Sequence, residues 1–217
     1  MITKKTFFSI LFLIISCADI YATIYEHRVL ELIFKPLITC VLAVLYLVSV
    51  TKPNFWFISA LFFAFWGDVL LMFPENYFVL GLLSFTIMHL IYIKLVAGYL
   101  PKIKMTTKLI SLGMFFLYFA GIIYVIQSNL KELFIPVIIY GLIISTFGTV
   151  SLLNYMKNKV TENLWLLIGA LIFIISDSVL ALYKFHSPAP ILSPIIMITY
   201  ITAQFYICKA FIAKSLL

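Results

Sequence analysis

Long apolar runs separated by short polar or proline-containing breaks extend along the whole chain. A helix needs about 20 apolar residues to cross the hydrocarbon core of a bilayer. Runs close to that length cover residues 6–22, 33–50, 54–73, 77–98, 106–126, 133–154, 163–184 and 190–213. Because the breaks are short, consecutive helices should be antiparallel neighbours. The pattern predicts an all-α polytopic membrane protein, with about eight transmembrane helices in a single transmembrane domain over residues 1–217.

Composition excludes a water-soluble fold. Of the 217 residues, 65% are hydrophobic and 11% are charged, whereas soluble domains are about 45–50% apolar and about 25% charged. The net charge of +7 would suggest a nucleic-acid partner in a soluble protein. Here the basic residues lie at the ends of the apolar runs, so we predict membrane lipid and no nucleic acid as the partner.

The basic residues also predict the orientation. With both termini in the cytoplasm (N-in/C-in), all but four of the 15 Lys and Arg residues lie on the inner side, as the positive-inside rule requires. The four on the outer side are Arg28, Lys35, Lys131 and Lys184. We expect an inner (plasma) membrane protein of a bacterium.

The first apolar run has an alternative interpretation. Lys4 and Lys5, the apolar stretch after them and the segment ending at Cys17 loosely resemble a cleaved signal peptide. Cleavage would leave seven helices and place the new N-terminus outside.

Two aspartates fall inside predicted spans, where an ionisable group is costly unless it faces a cavity or a partner. Asp68 is five residues before the end of the third run and Asp177 is seven residues before the end of the seventh. At 1.5 Å per residue, they lie about 8 and 10 Å below the outer edge. We expect the two carboxyl groups on one level in the outer half of the membrane. The alternative is that a Lys or Tyr holds each Asp for helix packing.

Further polar residues are expected around this pair. They are Lys35, His89, Tyr140, Tyr200, Gln204, Asp19 and Arg28. Lys35 and Pro36 open the second run, and each polar residue also has a packing interpretation. Two acids in a low-dielectric site repel each other when both are ionised, so one should keep its proton while the other stays ionised beside Lys35. Such a pair supplies a general acid and a general base.

Other hydrolytic chemistries fit the sequence poorly. Catalytic zinc sites use His-rich ligand sets, but two of the three His residues, His27 and His186, lie in predicted loops. The chain contains no G-x-S-x-G nucleophile motif. Phe65 also occupies the first Gly position of the Gly-x-Gly-Asp form of intramembrane aspartyl proteases. We therefore predict neither a metal nor a cofactor.

An ordered set of short motifs resembles the YhhN/TMEM86 family of multi-pass membrane proteins. The motifs are Lys35-Pro36, Gly67-Asp68, Gly81-x-x-x-Phe85-x-x-x-His89-x-x-Tyr92, Gly169-x-x-x-Phe173-x-x-Ser176-Asp177 and Tyr200-x-x-x-Gln204. The resemblance implies lysoplasmalogenase activity, which hydrolyses the vinyl ether bond of a lysoplasmalogen to a fatty aldehyde and glycerophospho-ethanolamine or -choline. It also implies that Asp68 and Asp177 take the family's acidic positions.

The polar and aromatic residues suit a lysophospholipid substrate. Its phosphate would meet Lys35 or Arg28, and its chain would lie among aromatic side chains. Those side chains are Phe62, Phe65, Phe85 and Phe173. One alternative is a proton-coupled transporter that uses the intramembrane aspartates, and another is a lipid-binding or scaffolding protein with structural acids.

Overall fold

Eight α-helices follow one another in the computed structural model, which describes residues 3–100 and 102–215. Their bounds are α1 Lys4–Ile24, α2 Arg28–Ser49, α3 Phe55–Leu71, α4 Pro74–Ala97, α5 Met105–Ile126, α6 Phe134–Lys157, α7 Thr161–Phe185 and α8 Leu192–Lys214. Two 3₁₀ turns, Gln127–Asn129 and Lys131–Leu133, connect α5 to α6. The described residues contain no strand. The predicted all-α fold is confirmed.

Seven of the eight helices are long and apolar enough to cross a membrane. The exception is α3, which is apolar but has only 17 residues and is therefore about 25 Å long. The prediction of an integral multi-pass membrane protein is confirmed.

Two predicted helix starts are wrong. Helix α2 begins at Arg28 rather than at residue 33, so Pro36 lies inside the helix and not in its first turn. Helix α4 begins at Pro74, within a segment that was read as a break. Proline suits the first helical position because its missing N–H would have no helical partner there. Two polar residues at the start of α2, Arg28 and Glu31, line a cavity that is described below.

A tight turn explains the early start of α2. Glu26 adopts a positive φ of 52°, and the backbone N–H of His27 donates to the carbonyl of Ala22 at 2.8 Å. This left-handed residue closes the end of α1 in the manner of a helix C-cap. The chain therefore reverses within three residues and enters α2 directly.

Side-chain contacts show which helix ends meet. At one end, which we call the Arg28 end, the guanidinium of Arg28 donates to the carbonyl of Met72, and Asn129 donates to the carbonyl of Phe185 at 2.7 Å. At the opposite end, which we call the terminal end, Lys214 donates to Asn163. The helices therefore alternate in direction along the chain, as predicted from the short loops.

Aromatic rings fill the terminal half of the bundle. The ring centroid of Tyr92 lies 5.5 Å from that of Phe147 and 6.1 Å from that of Phe211. Phe57 packs against Phe211 at 4.5 Å. These rings form a closely packed aromatic cluster between α3, α4, α6 and α8.

We predict opposite effects of alanine at two helical glycines. A Cβ at Gly169 would lie 2.7 Å from Ile207 Cγ1 and 3.1 Å from the carbonyl oxygen of Ala203, because α7 and α8 pack closely there. Gly169→Ala should destabilise the protein by about 1–3 kcal/mol through overpacking. Gly121 on α5 has no atom within 4 Å of such a Cβ, so Gly121→Ala should be neutral or stabilising by up to about 1 kcal/mol. Thermal unfolding in detergent measures both, and equal midpoints would contradict the close α7–α8 contact.

Candidate active site

A cavity of about 310 Å³ lies in the Arg28 half of the bundle, between α2, α3, α4, α6, α7 and α8. This volume is at the lower end of the range of about 300–1,000 Å³ typical of small-molecule pockets. Six of the residues predicted from the sequence line it: Arg28, Lys35, Asp68, Tyr140, Asp177 and Tyr200. The two aspartates therefore share one cavity.

Asp68 is positioned by the last turn of α3. The helix ends at Leu71, so Asp68 is three residues from its end and not five, at a depth of about 5 Å. Its side chain is 5% exposed. Oδ2 accepts hydrogen bonds from the hydroxyl of Tyr200 at 2.8 Å and from that of Thr39 at 3.5 Å. The ammonium of Lys35 is close enough to attract the carboxylate electrostatically.

A chain of hydrogen bonds leads from the packed core to Asp68. The hydroxyl of Tyr92 donates to Gln204 Oε1 at 3.1 Å, and Gln204 Nε2 donates to the hydroxyl of Tyr200 at 3.4 Å. Tyr200 in turn donates to Asp68. Every donor points toward the carboxylate, an arrangement in which each bond polarises the next. Gln204 thus supports the site through Tyr200 without lining the cavity.

Asp177 has a simpler environment. It lies eight residues before the end of α7 at Phe185, about 12 Å along the helix, and is half-buried. The hydroxyl of Tyr140, on α6, donates to its Oδ2. Next to it, the hydroxyl of Ser176 donates to the carbonyl of Ile196 at 3.0 Å and ties α7 to α8. Each carboxyl group therefore has a tyrosine hydroxyl from a different helix as its partner.

His89 lies beneath the cavity and does not line it. It is fully buried, and its Nδ1 donates to the carbonyl of Phe85 at 2.9 Å. Its ring centroid is 4.7 Å from that of Phe173 and 5.7 Å from that of Tyr140. The histidine thus packs with Phe173 against the ring of Tyr140, and we call these packed rings below the cavity the aromatic floor.

Asp19 is also separate from the cavity walls. Its side chain is fully buried, and neither carboxyl oxygen has a hydrogen-bond partner among the described residues. The hydroxyls of Ser16 and Thr23, on the same face of α1, have none either. Lys35 attracts both Asp19 and Asp68 electrostatically.

The sequence prediction named Arg28 and Lys35 but missed Glu31, which also lines the cavity, and Thr39, which donates to Asp68. All four recur every three or four residues and occupy one face of α2. A helix beginning at Arg28 would have shown this stripe. Lys184 follows Asp177 by seven residues, two helical turns, and also lines the cavity.

Only some of the four phenylalanines that were predicted to contact the lipid chain lie at the cavity. Phe85 lines the cavity, and Phe173 packs below it, 5.6 Å from the ring of Tyr200. Phe62 is 56% exposed and does not line the cavity. Phe65 is also absent from the cavity wall. Phe62 is six residues from Asp68, so the two side chains lie on different sides of α3.

Comparison with known families gives one match. A model described as the YhhN family matches residues 30–211. The matched segment contains both cavity aspartates and both of their tyrosine partners, whereas Asp19 and Arg28 lie before it. No curated protein and no solved structure matches the chain.

The hydrogen bonds of Asp68 predict a difference between two substitutions. Asp68→Leu should destabilise the protein by about 1–3 kcal/mol, because it leaves the buried hydroxyl of Tyr200 without its acceptor. Asp68→Asn keeps an acceptor oxygen and should change stability much less. Thermal unfolding in detergent compares the two. Adding Tyr200→Phe to Asp68→Leu should recover part of the loss, and a strictly additive double variant would contradict this pairing.

We predict that replacing Asp19, whose carboxyl group has no hydrogen-bond partner among the described residues, stabilises the protein, in contrast to Asp68→Leu. Burying a polar group without a hydrogen bond costs about 1–3 kcal/mol by mutational data. Asp19→Leu, of similar shape, should therefore raise the unfolding midpoint in the same assay. A lower midpoint would show that Asp19 has a stabilising partner.

Proposed function

The chain belongs to the YhhN family, and on that premise we propose that it is a lysoplasmalogenase-like hydrolase. It would cleave the vinyl ether bond of a lysoplasmalogen to a fatty aldehyde and glycerophospho-ethanolamine or -choline. One observation carries the proposal: the carboxyl groups of Asp68 and Asp177 line the same cavity, each with its own tyrosine partner. Such a pair can supply both the acid and the base that this reaction needs.

Vinyl ether hydrolysis begins with the slow transfer of a proton to carbon. The resulting oxocarbenium ion is attacked by water, and the hemiacetal collapses to aldehyde and alcohol. A carboxylic acid near the alkenyl carbon can donate the proton. A carboxylate near the cation can stabilise it and take a proton from the attacking water.

Cations at the rim of the cavity suit the phosphate of a lysophospholipid. Arg28, Lys35 and Lys184 all line the cavity. Arg28 forms an ion pair with Glu31 at 3.6 Å. Lys35 and Lys184 are the other two cations of the cavity, and in this proposal they bind the anionic group. Ammonium groups bind phosphate as point charges. In this proposal the tyrosines orient the carboxyl groups, and the aromatic floor with His89 and Gln204 supports them.

The proposed setting is the inner membrane of a bacterium, with both termini in the cytoplasm. The terminal end carries Lys94, whose ammonium lies 3.2 Å from the ring centroid of Trp56, and Lys214. Basic residues concentrate at the cytoplasmic ends of helices, which supports placing the cavity in the outer half of the bilayer. The substrate would reach it from membrane lipid, and we propose no metal, cofactor or nucleic acid as partner.

The alternative function, a proton-coupled transporter, has less support. Secondary transporters often bind their substrates where discontinuous helices break near the membrane centre. Helices α3 and α7, which carry the two aspartates, are continuous throughout. The experiment below distinguishes a transporter from a hydrolase.

We predict that Asp68→Asn and Asp177→Asn each lower aldehyde release from lysoplasmalogen by at least about 100-fold, since each removes a proton-transfer group. The measurement is mass-spectrometric detection of free aldehyde after lysoplasmalogen is added to the purified protein. Glu132→Gln is a matched control, because Glu132 is exposed on a 3₁₀ turn and should leave activity unchanged.

Two results would contradict the proposal. Activity retained in both aspartate variants would show that the carboxyl pair is not catalytic. Uptake of a solute into proteoliposomes without any aldehyde would instead favour the transporter.

A further inference from the structure

A second, smaller space adjoins the cavity on the far side of Asp177. This groove has a volume of about 60 Å³ and lies between α5, α6 and α7. We call it the chain groove. Its walls are mainly apolar side chains, including Phe119, Val137, Ile144 and Ala181. It therefore differs in chemistry from the cavity, whose rim carries charged groups.

Tyr140 and Asp177 are the residues common to the two spaces. Both line the cavity and both line the chain groove, and a hydrogen bond joins their side chains. The pair thus lies between a cavity that carries several charged side chains and a groove in which Asp177 is the one charged lining residue among the described residues. A ligand that occupied both spaces would place its polar–apolar junction against these two side chains.

Close packing of α5 and α6 keeps the chain groove narrow. Gly141 lacks the side chain that would overlap the ring of Phe119, so that ring lies directly on the backbone of α6. The groove has about one fifth of the volume of the cavity, which suits one hydrocarbon chain rather than a bulkier group. On the outer side, α5 presents exposed apolar residues such as Leu117 and Tyr124.

We propose that the chain groove binds the first carbons of the single hydrocarbon chain of a lysophospholipid, while the cavity binds its glycerophosphate headgroup. This inference rests on the proposed function and extends it to the position of the substrate. The vinyl ether bond joins the polar glycerol to the apolar chain, so this placement sets the bond beside Tyr140 and Asp177. The remainder of the chain extends into membrane lipid along α5.

The placement assigns different roles to the two aspartates. The carboxyl group of Asp177, between the two spaces, gives its proton to the alkenyl carbon farther from the ether oxygen. The π electrons form the new C–H bond, and an oxygen lone pair forms the C=O⁺ bond of the oxocarbenium ion. Asp68, on the headgroup side, accepts a proton from the water that adds to this cation. The hemiacetal then breaks its bond to the glycerol oxygen, which leaves with a proton as the aldehyde forms.

Photo-crosslinking tests the chain groove without requiring hydrolysis. The probe is a 1-O-alkyl glycerophosphocholine, a stable saturated ether, with a diazirine on the third chain carbon. Irradiation of the purified wild-type protein followed by peptide mapping should place adducts on α6 and α7, at Ile144 or Ala181. Adducts concentrated on the exposed face of α3, for example at Phe62, would overturn the inference.

A matched pair of variants sharpens the test. Ala181→Phe fills the chain groove and should reduce labelling there by roughly tenfold. Ala120→Phe makes the same change at an exposed position of α5 outside both spaces and should not. Equal labelling in the two variants would overturn the groove as the binding site. If Ala181→Phe fails to fold, mapping of the adducts on the wild-type protein still tests the inference.

The outcome is separable from that of the hydrolase proposal. Groove labelling by a protein that releases no aldehyde from lysoplasmalogen would support the binding site and contradict the hydrolase. Aldehyde release together with labelling outside the groove would support the hydrolase and overturn the groove.

Discussion

Polar groups inside a lipid-embedded bundle must find their partners within the protein, because the hydrocarbon core supplies none. The hydrogen bond between Tyr200 and Asp68 meets that requirement in the Arg28 half of the bundle. Through Tyr200 it joins α8 to α3, through Thr39 it reaches α2, and through Gln204 it reaches Tyr92 on α4. Four helices are thus held in register by one carboxyl group. The same bonds that stabilise the bundle also orient a candidate catalytic acid.

The two halves of the bundle differ in composition: aromatic rings pack around Tyr92 in the terminal half, and the cavity with its charged side chains lies in the Arg28 half. The Arg28 half keeps its cavity because charged and hydroxyl-bearing side chains line it. Gly67 contributes to this arrangement, since a Cβ there would lie 2.6 Å from the ring of Phe85. Without that glycine, the Phe85 ring would have to move from its place in the cavity wall.

Hydrophobic runs predicted the number of helices and their approximate positions, because the period and length of apolar segments are local properties of the chain. The start of α2 was not predicted, because Arg28 and Glu31 have the polarity of a loop, whereas the turn at Glu26 and the cavity that these two residues line are features of the folded chain. Asp68 and Asp177 stood out as acids in apolar runs. Their tyrosine partners lie 132 and 37 residues away, and single-sequence reasoning has no means to pair residues across helices. His89 and Asp19 were grouped with the site from their positions along single helices, and neither lines the cavity, because such positions do not show which neighbouring helix a side chain meets.

The shortness of α3 has a consequence for the surrounding bilayer. At 17 residues the helix spans about 25 Å, some 5 Å less than a typical hydrocarbon core of about 30 Å. Such a hydrophobic mismatch is relieved in part by local thinning of the lipid, at a cost of fractions of a kcal/mol per Å. Thinning beside α3 draws headgroups and water toward the turn that carries Asp68. The thickness of the host membrane thereby becomes a variable of this site, alongside the residues that form it.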